Sequence, residues 1–142
     1  MPSSTAHRIV FTGKKSDLNH NTVKAKAMQK LAMFVFNGSP MCFVHVLLNA
    51  LDMHARGDDV HIVMEGEATK LVPELALPEN WLHALWQKAR DKGLVDGACK
   101  ACSQKLGVLD AVAENALPLM DDMNGHPGMA RFQADGYEII TF

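Results

Sequence analysis

From residue 30 onward the chain alternates apolar runs with polar breaks. LAMFVF, residues 31–36, is continuously apolar, as expected of a central parallel strand buried on both faces. NGSP follows, with Ser39 placed to cap a helix and Pro40 to start it, where the missing N–H of proline costs nothing. That helix is expected from Pro40 to Arg56, with Gly57 as its stop. It is apolar around most of its circumference. Its polar residues His45, Asn49, Asp52 and Arg56 fall on one narrow stripe that faces solvent or a second subunit. DVHIVME, residues 59–65, alternates as a second strand, and EATKLVPEL, residues 67–75, reads as a short helix bent or ended by Pro73. PENWLHALWQKARDKG, residues 78–93, is an amphipathic helix with Trp81, Leu82, Leu85, Trp86 and Ala89 on one face. LVDGA (94–98) is a third strand and CKACSQKLG (99–107) a helix closed by Gly107. LDAVAENA (109–116) is a helix fragment or turn, and LPLM (117–120) a fourth strand. Asp121 to Gly128 is a polar loop, PGMARFQADG (127–136) a helix, and YEIITF (137–142) the last strand.

This order predicts an α/β fold with a parallel sheet of about five strands and helices on both faces. The first 30 residues are set apart: HRIVFTG (7–13) reads as an extra strand and the rest as an arm, so the α/β domain proper is expected over 31–142.

Composition narrows the function classes. A chain of 142 residues can form a core without disulfide or metal staples. A net charge of -2 gives no electrostatic reason to expect nucleic acid or an anionic membrane as partner. No apolar run approaches a membrane span, and MPSSTAHRIVF lacks a secretory apolar core, so the expected compartment is the cytoplasm. The cysteine count of 3 is odd, so these residues cannot all pair within the chain. In a reducing compartment they are expected to be free, catalytic or metal-bound.

Ligands of such folds bind beyond the carboxyl ends of the strands, near the point where strand order reverses. Cys99 stands at one such end, where a strand hands over to a helix, and Cys102 lies one turn further. Three readings apply to the pair. Cys99 is a reactive thiol, activated by the helix start and Lys100, with Cys102 resolving or tuning it. Alternatively, Cys99 and Cys102 are half of a zinc or iron site completed by His126, Cys42 or a carboxylate. In the third reading both are small buried residues. A zinc ribbon is excluded because no second CxxC exists, and a thioredoxin motif sits too late in the chain. Cys42, in the first turn of its helix, is expected to face the sheet. It reaches Cys99 only if the first and third strands are neighbours. DDMNGHPG carries Asp121, Asp122, Asn124 and His126, with His126 either a general acid/base and thiolate partner or part of a solvated turn. Glu65 and Glu67 are expected to cap the following helix, with Glu65 also a supporting candidate to manage protons at the thiol site. No GxGxxG stretch is present, so no nucleotide or flavin is expected.

The strand–helix–strand MFVFNGSPMCFVHVLLNALDMHARGDDVHIVMEGEA, the segment VDGACKACSQKLGV and the closing GYEIITF resemble the DsrE/DsrF-like family. The resemblance covers 31–142. It implies a three-layer, flavodoxin-like fold and a sulfur-relay function in which the cysteine at the end of the third strand, here Cys99, carries a persulfide received from a protein donor and passed to a protein acceptor. It also implies a homo-oligomer, trimeric or hexameric. The chain departs from the relay pattern at Cys102 and in the DDMNGHPG loop, which fits a branch with a thiol-pair or metal-assisted site.

Overall fold

The apolar run at 31–36 does form the second-to-last strand of a parallel sheet, as the computed structural model shows. The structure describes residues 26–142. The strand expected at 7–13, and the arm up to residue 25, lie outside the described residues. The sheet comprises β1 (Lys30–Val35), β2 (Asp59–Met64), β3 (Val95–Cys99), β4 (Leu119–Met120) and β5 (Glu138–Thr141), in the order β4-β3-β2-β1-β5. All four pairings are parallel. This is the expected three-layer, flavodoxin-like α/β architecture.

The layers are unequal. Leu31, Met33 and Val35 of β1, with Val60, Ile62 and Met64 of β2, bury against α1 (Pro40–Ala55), α2 (Leu71–Leu75), α3 (His83–Asp91) and α5 (Leu109–Glu114). The alternate residues Ala32, Phe34 and Val63 face the other way, with Met120, and pack on Phe132 of α6 (Met129–Ala134). The topology accounts for this. The chain steps in one direction from β1 to β4, which keeps the intervening helices on one face. After β4 it reverses to reach the far side of β1, so only α6 crosses to the second face.

Several boundaries differ from the sequence reading. The helix expected over 78–93 begins only at His83, because Asn80 Oδ1 accepts the Leu82 N–H at 2.9 Å and holds a turn in front of it. Trp81 is thereby left 60% exposed instead of joining the core. The 67–75 segment divides into a 3-10 turn, Gly66–Lys70, and α2, whose third residue is Pro73. Ser39 stands at the cap of α1, but its side chain makes no capping bond. The helix expected over 99–107 shortens to α4 (Lys100–Lys105). Gly97 is needed for close approach: a Cβ there would lie 2.8 Å from Met120 Cγ and inside the Pro118 carbonyl. No described helix is long and apolar enough to cross a membrane.

At the amino-terminal end of the second face, His61 is held between carboxylates. Its Nδ1 lies 2.6 Å from Asp96 Oδ1 and its Nε2 lies 3.1 Å from Asp59 Oδ1. The Tyr137 hydroxyl donates to Asp59 Oδ2 at 2.5 Å, which ties the segment before β5 across β1 to β2. Asp96 raises the His61 pKa above its usual 6.5, against the opposing effect of burial. A raised folded-state value means that the interaction stabilises fully below about pH 6.5 and is lost as pH climbs through that higher value. Asp96→Asn should therefore cost roughly 1 kcal/mol at about pH 6 and clearly less at about pH 9. Denaturant unfolding at both pH values checks this, and an equal cost at both would contradict it.

Candidate functional site

The register of β2 and β3 builds the site. Met64 pairs with Ala98, and both point into the larger core. The next residue on each strand, Glu65 and Cys99, must then point to the opposite face. Glu65 keeps an extended backbone, φ -126° and ψ 162°, so the alternation carries through to its side chain. Cys99 is fully buried and Glu65 is 6% exposed. Glu65 makes no capping bond, so the expected cap is instead a buried carboxylate at the site.

Cys99 closes β3 and also caps α4, with its Sγ accepting the Cys102 N–H at 3.2 Å. This places the two thiols one helical turn apart on the same side.

The loop after β4 supplies the remaining group. As the chain turns back over the sheet edge, Met123 and His126 form a small antiparallel bridge, and the Gly125 carbonyl accepts the Ala101 N–H at 2.9 Å. Gly125 has φ +86° and sits close to the Ala101 side chain, so a larger residue would strain this seam. Asp122 Oδ2 accepts the Gly128 N–H at 3.2 Å, and Asp121 pairs with Lys100 at 3.0 Å. The loop is thus fastened to the start of α4. His126 Nδ1 comes to rest 3.1 Å from Cys99 Sγ and 3.8 Å from Cys102 Sγ. Cys102 Sγ lies 3.9 Å from Glu65 Oε2.

One ligand atom from each of Glu65, Cys99, Cys102 and His126 lies within 4.8 Å of every other. Two clefts flank them. One, of about 430 Å³, is lined by Gly66, Ala101, Cys102, Lys105, Leu106 and His126, with Glu67 at its rim. The other, of about 470 Å³, exposes Phe36, Met123 and Met129 beside Glu65 and His126.

The electrostatics differ from what the sequence implied for Cys99. Burial, reinforced by the adjacent Cys102 thiol, pushes its pKa up to about 12, which outweighs the bond from the Cys102 N–H. Burial also raises the Glu65 carboxyl above its ordinary range. Burial thus opposes the ionisation of both Cys99 and Glu65.

The other candidates are dispersed. Cys42 is exposed on α1 and does not face the sheet, and β2 separates β1 from β3, so it stands away from Cys99. Asp121 and Asp122 shape the loop by the bonds above, and Asn124 is exposed with φ +50°. Glu67 pairs with Lys70. His45, Asn49, Asp52 and Arg56 are all exposed, as the stripe on α1 implied.

The chain is similar to two archaeal proteins. A protein of Methanocaldococcus jannaschii, itself uncharacterised, is 31% identical over 97 residues, 68% of this chain and 77% of its own length. The chain belongs to the family of that protein. An uncharacterised protein of Archaeoglobus fulgidus is 39% identical over 41 residues, 29% of this chain and 67% of its own. No family model and no solved structure matches the chain.

The three thiols should differ sharply in reactivity. In metal-free protein at about pH 8, a small alkylating reagent should label Cys42 first, Cys102 next and Cys99 last, the last roughly 100-fold slower than Cys42. Peptide mass mapping over time reads the order. Labelling of Cys99 as fast as Cys42 would contradict the buried, protonated thiol.

Proposed function

We propose that this protein is a metal-binding α/β module whose Glu65, Cys99, Cys102 and His126 hold one zinc or ferrous ion. The convergence of four ligand atoms within 4.8 Å carries the reading. Metal–ligand bonds of about 2.0 to 2.3 Å in a tetrahedron place the ligand atoms about 3.3 to 3.8 Å apart. The separations of 3.1, 3.8 and 3.9 Å lie within tenths of an ångström of those values, and since no pair exceeds 4.8 Å the widest closes by about 1 Å at most. Two sulfurs, an imidazole and a carboxylate form a borderline-soft donor set, which suits zinc or iron over magnesium or calcium. The raised Cys99 and Glu65 values point the same way, since a divalent cation offsets the cost of ionising both in a buried place. The flanking clefts give a small ligand access to the centre from the Cys102 and His126 side.

A second reading is supported by the open position of Cys102 and by the DsrE/DsrF-like resemblance. Cys99 takes a sulfur atom from a protein donor as a persulfide. Cys102 then attacks Cys99 Sγ, forming a disulfide and releasing hydrosulfide for a protein acceptor. In either reading three free cysteines suit the cytoplasm. Exposed Met41 and Leu48 on α1 offer an apolar surface for homo-oligomer assembly, trimeric or hexameric as the resemblance implies.

Elemental analysis of protein purified without chelator tests the choice. One zinc or iron per chain is expected, falling at least about tenfold in Cys99→Ser and Cys102→Ser. Affinity should rise with pH, because binding displaces thiol protons. Metal-free protein that gains about 32 Da on Cys99 from a persulfide donor would favour the second reading. Full metal content in the double serine variant would overturn the first.

A further inference from the structure

The two thiols of the cluster are unlike each other in a way that four ligands to one ion do not require. Cys99 is fully buried at the end of β3 and is approached by Cys102 N–H, His126 Nδ1 and the Gly125 carbonyl. Cys102 is only half buried, and it lines the 430 Å³ cleft that opens to solvent. The sulfurs belong to one helical turn and lie within 4.8 Å of each other. Residues three apart at a helix start have Cα atoms within the range a disulfide spans. The third thiol, Cys42, stands on α1, outside the cluster.

We propose that Cys99 and Cys102 form a peroxide-oxidised modification site, in which a hydroperoxide entering the cleft converts the pair to a disulfide and releases the metal. The proposal rests on the metal reading for the release, but not for the disulfide. The chemistry is balanced as follows. Cys102 sulfur attacks the outer peroxide oxygen, the O–O bond breaks, and the inner oxygen leaves as water or alcohol after taking a proton. Cys102 is then a sulfenic acid. Cys99 sulfur attacks Cys102 sulfur, the S–S bond forms and the sulfenic oxygen leaves as a second water. The two sulfurs together lose two electrons and the peroxide gains two. Glu65 and His126 remain as the only two protein ligands, too few for the tetrahedral site that four supply. A dithiol reductant reverses the step by exchange.

The order of events follows from access. An oxidant the size of hydrogen peroxide reaches the cleft wall at Cys102, whereas Cys99 has no exposed surface. Cys102 is therefore the attacked thiol and Cys99 the resolving one, which reverses the roles the sequence assigned to them.

The experiment uses the full chain carrying Cys42→Ser, loaded with zinc and treated with hydrogen peroxide at one to a few equivalents. A chromogenic zinc chelator follows release and intact mass follows the cysteines. The expected result is a loss of about 2 Da, mapped to a Cys99–Cys102 disulfide, with zinc release in proportion and both reversed by dithiothreitol. Cys99→Ser, examined as metal-free protein, should instead trap oxygen adducts on Cys102. Zinc retained with no change in mass would overturn the proposal while leaving the metal reading intact. Protein that never takes up zinc but still loses about 2 Da would sink the metal reading and leave the disulfide standing. Oxygen adducts on Cys102 with Cys99 present, and no disulfide, would overturn the proposal as well.

Discussion

Burying Cys99 and Glu65 side by side at the ends of β3 and β2 is the constraint that shapes the rest of the site. A thiolate and a carboxylate in such a place are costly unless a positive charge answers them. Burial pushes the pKa of both groups up, so ionising them together is opposed. His126, delivered by a loop fastened to α4 through Gly125 and Asp121, supplies one nitrogen at 3.1 Å from Cys99 Sγ but not a full compensation. A divalent ion among the four groups would convert this costly arrangement into a stabilising one. The Coulombic gain would be largest where burial now penalises ionisation most.

The fold makes the arrangement available because its layers are unequal. Among the described residues four helices fill one face, and a single short helix, α6, covers the other. The thinly covered face leaves room at both ends of the strands. At the carboxyl end that space holds the Glu65–Cys99–Cys102–His126 cluster and its clefts. At the amino end it holds the His61, Asp59, Asp96 and Tyr137 network, where carboxylates flank opposite sides of one imidazole. Those carboxylates cannot converge on a common ion, since they occupy opposite ring nitrogens. The network therefore acts as a clasp between β2, β3 and the segment before β5, and the chemistry gathers at the other end.

The sequence revealed the architecture through its periods. The run at 31–36, the alternation at 59–65 and the Pro40 start are local signals, and each lies close to its element in the structure. Cys99, Cys102 and His126 were visible because reactive residue types stood at expected strand ends. Glu65 stood at an expected strand end too, but its reading as a cap failed because the direction of its side chain depends on the Met64–Ala98 register, which no local pattern encodes. The placement of Cys42 failed for a similar reason, since α1 turns it outward and β2 intervenes. Trp81 was misplaced because one Asn80 hydrogen bond delays the start of the helix to His83. Asp59 and His61 share a face by simple alternation, but Asp96 and Tyr137 join them only through sheet pairing and a chain that returns past β1.

X-ray absorption at the edge of the bound metal tests the central claim most directly, because it reads the ligands and not merely the metal content. The account predicts two sulfur scatterers at about 2.3 Å and two nitrogen or oxygen scatterers at about 2.0 to 2.2 Å. A shell of nitrogen and oxygen alone would place the ion elsewhere and contradict the assignment of Glu65, Cys99, Cys102 and His126.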